Sequence, residues 1–395
     1  MILSRQIWLF LLCLPAMAMA QQAPPAPVAA EGAPQAKSPD PVLIQRPAPK
    51  PESTEGRVQL DIVVVGKQGN PVPGLDEKDF TVLDNKKSQT ILSFHAPDQA
   101  PARPVEVILL LDLVNSSFEQ ASITRTQIAK FLQQNGGRLA YPTLIAVLSD
   151  DGLRIQPHPA TDGNALAGVL ARAGATAHTT GLGEAGRFQL SVRTLASIAE
   201  NAARTSGRKI LIWTGPGWPM LVGSHYAASA QDRERTFDTI VEISNRLREA
   251  HLVLDSVSPS NAAKGATPSM PASTAYVTSP NEGASMSRPL PAMHDEVDGS
   301  NYKAFLRGVK SARDADSSNL ALQVLAVQSG GRVLDPSNDV AGQISRCIDD
   351  LGAYYTITFN PDPSHRSDEY HELKVQIAKP GLVARTSTGY YERQP

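Results

Sequence analysis

Of the 395 residues only two are cysteines, Cys13 and Cys347. That count excludes a disulfide-stapled scaffold and a cysteine-built zinc site, which need several thiols. A basic surplus is also missing: 37 basic residues face 39 acidic ones, a formal charge of −2. Proteins that grip nucleic acid by bulk electrostatics carry a positive excess, so no nucleic-acid partner is expected. Beyond the first twenty residues no stretch approaches the ~18 uninterrupted apolar residues of a membrane span, so membrane insertion of the mature chain is not expected. Catalytic signatures are equally scarce. No G-x-S-x-G elbow marks a nucleophile, and no H-E-x-x-H pair marks a zinc hydrolase. Gly181-Leu182-Gly183-Glu184-Ala185-Gly186 matches G-x-G-x-x-G. It follows no clear buried strand, which is the context a dinucleotide site requires. Asp150-Asp151 and Asp349-Asp350 read as solvated element ends rather than paired catalytic acids.

What is present begins with an address. Arg5 supplies a positive start, Ile7–Leu14 an apolar core, and Ala18-Met19-Ala20 a small-x-small cleavage site. Residues 1–20 therefore read as a secretory signal cut before Gln21, and the mature protein is expected to be periplasmic or secreted. Cleavage removes Arg5 and Cys13 and leaves 36 basic residues, 39 acidic residues and one cysteine, Cys347. Val340, Ile344, Cys347 and Leu351 recur at the spacing of one helix face, which makes Cys347 a core thiol.

Residues 21–56 form a Pro/Ala-rich linker, expected to be disordered. Its nine prolines and seven alanines show no hydrophobic period and bury too little area to offset the entropy of ordering. Residues 57–97 then alternate: Val58, Leu60, Ile62 and Val64 share one strand face, and Phe80 and Val82 repeat the pattern. From Val105 the pattern changes. Val105–Leu111 and Leu144–Leu148 read as apolar runs, the mark of strands buried on both faces, and Lys209–Thr214 and Leu252–Val257 as the third and fourth strands of the same kind. Helical periodicity separates them, so residues 104–352 imply a doubly wound, mostly parallel α/β sheet. Residues 258–300 interrupt it with eight Ser and six Pro and read as a disordered insertion. Arg332–Leu334 is expected as a short strand. Residues 353–392 alternate again at Tyr355, Ile357, Phe359 and at Leu373, Val375, Ile377, with Val383–Tyr391 as a last strand. Neither β segment has strands enough to stand alone. Together, 57–97 and 353–392 are expected to build a β-sandwich into which the α/β domain is inserted.

Ligands of an open α/β sheet bind beyond the carboxyl ends of its strands. The first buried strand ends Asp112-Leu113-Val114-Asn115-Ser116-Ser117. Here the chain resembles a von Willebrand factor A domain, which carries Asp-x-Ser-x-Ser at this place. Lys67–Leu75, Asp79–Asp84, Leu325–Arg332, Tyr354-Tyr355, Tyr370–Val375 and Thr388–Tyr391 are similar to the VWFA-related acidobacterial domain family. The resemblance covers residues 57–392 apart from the insertion. It implies a site at which oxygen ligands hold Mg²⁺ or Mn²⁺ and an acidic group of a partner completes the coordination. This chain keeps Asp112 and Ser116. Val114 replaces the middle hydroxyl, Gly215 stands where the later carboxylate belongs, and Thr179 or Thr180 takes the place of the family's threonine. Asp112, Ser116 and Thr180 thus read as a vestigial cation site, and no cofactor is expected.

These observations point to an exported, non-enzymatic protein-binding, adhesion or scaffold protein with an unidentified protein partner. Recognition is expected through Asp112–Ser117, His178–Gly186 and Gly215–Gly223, with Asn115, Ser117, Trp218 and Met220 as contact residues. A divalent-metal-dependent adhesin using Asp112 and Ser116 is the first alternative. A periplasmic hydrolase with an unrecognised site is the second.

Overall fold

The alternation of Val58, Leu60, Ile62 and Val64 places all four on the buried face of β1 (Val58–Val65), because successive side chains of a strand point to opposite faces. A computed structural model describes β1 and the rest of residues 56–97, 104–174, 181–218, 221, 228–260, 301–362, 366 and 368–392. The expected signal and linker fall outside these residues. Strand β1 pairs antiparallel with β11 (Tyr354–Phe359), Leu60 opposite Ile357 and Ile62 opposite Tyr355. With β4 (Ile91–His95) and β13 (Val383–Arg385) they form a sheet in the order β13-β1-β11-β4. A second antiparallel sheet runs β14-β12-β2-β3, from β14 (Gly389–Glu392), β12 (Glu369–Ile377), β2 (Phe80–Asp84) and β3 (Lys87–Gln89). Asn85 and Lys86, both at positive φ (47° and 70°), turn the chain from β2 into β3, as two-residue hairpin loops require. The two sheets share one apolar core, with the Phe80 ring 5.0 Å from that of Tyr355.

The expected last strand, Val383–Tyr391, is two strands in different sheets. Residues 386–388 between them bond elsewhere. Thr386 Oγ1 donates to the Asp61 carbonyl, while Ser387 Oγ and the Thr388 amide donate to the carbonyl of Gln328. The chain crosses from one sheet to the other there, which alternation alone does not reveal.

Between the two halves of this β unit lies a mixed α/β body. Strands β5 (Val105–Asp112), β6 (Arg138–Ser149), β9 (Arg208–Thr214) and β10 (Leu252–Val257) are parallel in the order β10-β9-β5-β6. Antiparallel β7 (Gly152–Ile155) closes one edge, and β8 (Ala160–Asp162) pairs with the start of β6. Helices α1 (Phe118–Leu132), α2 (Gly163–Gly174) and α6 (Val340–Asp349) cover one face, over Val107, Leu109, Leu111, Ile145, Ile210 and Ile212. Helices α3 (Glu184–Ala202), α4 (Ala230–Glu249) and α5 (Leu322–Gln328) cover the other, over Ile108, Leu110, Leu144, Ala146, Leu211 and Trp213. Burial on both faces is why these strands read as apolar runs. Among the described residues, no helix is long and apolar enough to cross a membrane.

Three expectations change in detail. Ser258–Ser260 are not part of a featureless insertion: Ser258 is buried, and Pro259 bridges Ser337 in parallel. Residues 261–300 lie outside the described residues. Arg332–Leu334 makes a single bridge, Val333 to Ser256, rather than a strand. Asp350 is not a solvated end. It is buried and accepts both a bidentate pair of bonds from Arg332, at 2.7 Å each, and a further bond from Arg385. Arg332 also donates to the carbonyl of Gly69. Asp350 therefore ties the α/β body to the turn after β1 and to β13. Cys347, behind it, is fully buried, and burial pushes its thiol pKa well up, reinforced by Asp255. A thiol held protonated and sealed from solvent is inert.

Candidate functional site

At the carboxyl end of β5 the chain makes a tight turn around its own aspartate. Asp112 is fully buried. Its Oδ1 accepts from the Asn115 amide at 3.0 Å, and its Oδ2 from Asn115 Nδ2 at 2.8 Å and from the Trp213 indole at 2.9 Å. Ser116 Oγ donates to the Asp112 carbonyl at 2.6 Å. Asn115 Nδ2 also reaches Ser191 Oγ at 3.0 Å, which brings α3 against the same turn. Burial pushes the Asp112 carboxyl pKa up, while the bonds from Asn115 and Trp213 draw it back, with a net rise.

Ser117 closes the turn as the N-cap of α1. It accepts from the Gln120 amide at 3.2 Å while Gln120 Oε1 accepts from the Ser117 amide at 2.8 Å, a reciprocal capping box. The helix then opens on Phe118, which stands 74% exposed. Leu182, just ahead of α3, is a second large exposed apolar side chain, at 37%. The G-x-G-x-x-G segment thus serves as the entry to α3, with Gly183 at its N-cap.

The turn after β9 packs from the opposite side. Gly215 lies against Asp112 so closely that a Cβ there would sit 2.8 Å from Asp112 Cβ and 3.5 Å from Ser116 Oγ. Its amide donates to the Val257 carbonyl and its carbonyl accepts from Ser258 Oγ at 2.9 Å. Trp218 folds back into the core. It packs edge-on against Trp213 with centroids 5.1 Å apart and donates its indole N–H to the Leu320 carbonyl at 2.8 Å.

The fit of a divalent ion can be judged from this donor set. A hard cation takes lone pairs from several oxygens. Here both carboxylate oxygens of Asp112 already face N–H donors, Val114 is buried hydrocarbon, and Gly215 leaves no room for a second carboxylate. Asp112 and Ser116 as placed do not fit Mg²⁺ or Mn²⁺. Among the described residues no group of three His, Cys, Asp or Glu side chains is arranged to hold a metal. The Ser116 hydroxyl donates to the Asp112 carbonyl, whereas a nucleophilic serine gives its proton to an adjacent base.

Of the residues singled out by sequence, the structure brings Asp112, Asn115, Ser116 and Ser117 into one turn. Asn115 and Ser117 direct their polar atoms into that turn and into the helix cap. Trp218 is 3% exposed and is a core residue rather than an exposed anchor. The apolar neighbourhood of Trp213 and the Leu320 carbonyl satisfy both ends of its ring. Thr180 and Met220 lie outside the described residues. Sequence reasoning missed Phe118, which lies near the apolar stripe of Ala121, Ile128 and Leu132 and so counts as core by periodicity. It also missed the Trp213 indole as the partner of Asp112, since no local spacing links residues that far apart.

No family model matches the chain, and no curated protein matches it. Among solved structures the chain is similar to the human COPII-coat protein Sec24c, at 8% identity over 75% of this chain and 44% of that one, TM-score 0.33. It is similar to the pilus adhesin SpaC from Lactobacillus rhamnosus GG in its open conformation, at 11% identity over 85% and 49%, TM-score 0.35. A third likeness is to the manganese-loaded TRAP protein of Plasmodium vivax, at 10% identity over 78% and 97%, TM-score 0.30. The chain spans about half the length of the first two. All three likenesses are distant.

Proposed function

We propose that the protein is an exported, non-enzymatic binding or scaffold protein. Its α/β body is von Willebrand factor A-like, inserted in a β-sandwich, and it engages a protein partner at the carboxyl edge of the parallel sheet without a divalent cation. The observation that carries this reading is the pairing of Phe118 with Asp112. A large aromatic side chain stands 74% exposed on the first turn of α1, directly after a turn whose carboxylate is saturated by internal N–H donors. Exposed aromatics on a rigid, capped element are the residues that anchor protein interfaces. Saturation of Asp112 replaces the ion as the element that holds the turn in shape.

The test is affinity capture with residues 21–395 as bait on envelope and secreted fractions, run in Mg²⁺ and in EDTA, beside a Phe118→Ser bait. The expected outcome is a specific partner retained equally in both buffers and reduced by at least about tenfold with Phe118→Ser, the size of effect typical of an interface anchor. Capture that needs Mg²⁺, or that ignores Phe118→Ser, overturns the reading.

A further inference from the structure

The second antiparallel sheet contains a buried histidine that neither the fold nor the carboxyl-edge site uses. His371 is central in β12, between β2 and β14, and its side chain is almost fully buried. Nδ1 lies 3.0 and 3.1 Å from the two carboxylate oxygens of Asp84 on β2. Nε2 lies 3.4 Å from the Glu392 carboxylate on β14. The ring stacks on Tyr390, centroids 4.8 Å apart, and the Tyr390 hydroxyl donates to Asp84 Oδ2 at 2.8 Å.

This placement decides the protonation state. A neutral imidazole carries one N–H and one lone pair. With carboxylates on both sides, a neutral ring donates to only one of them and turns its lone pair toward the other or, at Nδ1, toward the Tyr390 hydroxyl 3.1 Å away. Nε2 and Glu392 Oε2 are buried and make no hydrogen bond among the described residues, so a lone pair at Nε2 would face that carboxylate uncompensated. Only the doubly protonated ring gives a donor to each side. The charge also has an electrostatic task. Glu369 and Glu392 are directly opposite each other in the β12–β14 register, and like charges across a strand pair are destabilising. His371 lies two residues along from Glu369 and supplies the positive charge between them. The groups that face it are Asp84 from β2, Glu369 from β12, Tyr390 and Glu392 from β14, and, over the far side of Tyr390 at 5.9 Å, Arg248 from α4.

We propose that His371 is a proton latch: as an imidazolium it clips strand β14 to β12 and β2, and loss of that proton loosens β14. Without it, β14, which carries Glu392, is held against the Asp84 carboxylate across a neutral ring. Strand β14 matters beyond its four residues, because Tyr391 donates to the Val309 carbonyl and packs edge-on against Phe237 of α4. The hydrogen bond to Asp84 pushes the imidazole pKa up, burial opposes it, and the charges of Asp84, Glu392 and Glu369 add to the rise. For a raised histidine pKa the stabilisation is fully present below the ordinary value of about 6.5 and is lost as pH climbs through the folded-state value. The Tyr390 pKa is pushed up by burial and then by Asp84, so its hydroxyl stays a neutral donor throughout that range.

The latch is tested on the full chain with isotope-labelled histidine. NMR follows the His371 ring carbon across pH 5–10, assigned by its loss in His371→Gln. Hydrogen exchange of residues 389–392, corrected for the intrinsic pH dependence, is measured in parallel. The expected midpoint lies above about 6.5, the ordinary histidine value. It should fall in Glu392→Gln, whose side chain is partly exposed and tolerates the change. Protection of β14 should drop by about tenfold or more across the midpoint, as expected of a local opening. A midpoint at or below the ordinary value, or β14 protection that ignores it, overturns the proposal. The wild-type titration decides the matter even where a variant folds poorly.

Discussion

Asp112 shows how one residue keeps its place while its chemistry changes. A carboxylate at the end of a buried strand is available to a cation only while its oxygens face other oxygens. Here the Trp213 indole and both Asn115 N–H groups face them instead. Replacing Gly215 by the aspartate that a cation site would require does not reverse this. The new Cβ meets Asp112 Cβ at 2.8 Å, backbone-near atoms that cannot swing away. Gly215→Asp is therefore expected to lower stability by about 1–3 kcal/mol, the usual cost of overpacking. Denaturant unfolding in Mg²⁺ and in EDTA should give the same midpoint for this variant. A gain of stability in Mg²⁺ would show that the site can be rebuilt. The Asp-x-x-x-Ser spacing was legible in the sequence. The saturation of Asp112 was not, because its third donor is 101 residues away.

At the scale of elements, α1 and the parallel strands were the most readable. Apolar runs at Leu144–Leu148 and Lys209–Thr214 give strands with helices on both faces, since each face must bury alternate residues. The start of α1 rests on Ser117 and Gln120, which satisfy each other's backbone donors. Ser117→Ala should cost about 1 kcal/mol by loss of the cap, read as a shift in the unfolding midpoint. Partner capture through Phe118 should be unchanged. A loss of capture with unchanged stability would instead make Ser117 a contact residue. Val383–Tyr391 was the least readable element. It is expected as one strand, yet Thr386–Thr388 bond to Asp61 and Gln328, so one run of sequence serves two sheets.

For the whole molecule, the joint between the α/β body and the β unit combines apolar packing of Tyr370 and Tyr391 with a buried ionic group. Asp350 is buried and holds Arg332 and Arg385, both largely buried themselves, while the Arg208 guanidinium lies 4.3 Å from the centroid of the Tyr354 ring. Removing one partner of such a group strands the others without a counter-charge. Asp350→Ala should lower the unfolding free energy by about 3–5 kcal/mol, measured by urea unfolding followed through Trp213 and Trp218. A loss under about 1 kcal/mol, the value of an exposed ion pair, would mean that solvent reaches the joint. The sequence presents Asp349-Asp350 as a charged helix end. Only the return of β13 to the end of α6 converts it into an interior group.

The amino-acid order by itself determined the local periods. Period-two alternation at both ends, apolar runs between them and helical stripes separating those runs are enough for a mixed α/β body with antiparallel sheets, because which residues share a strand or helix face depends only on their spacing along the chain. Tertiary structure alone decided what the polar groups do. Asp112 with Trp213, His371 with Asp84 and Glu392, and Asp350 with two arginines are pairings across 18 to 287 residues. A buried charge or donor takes its partner from whatever the fold brings within hydrogen-bond reach, and no spacing along the chain encodes that distance.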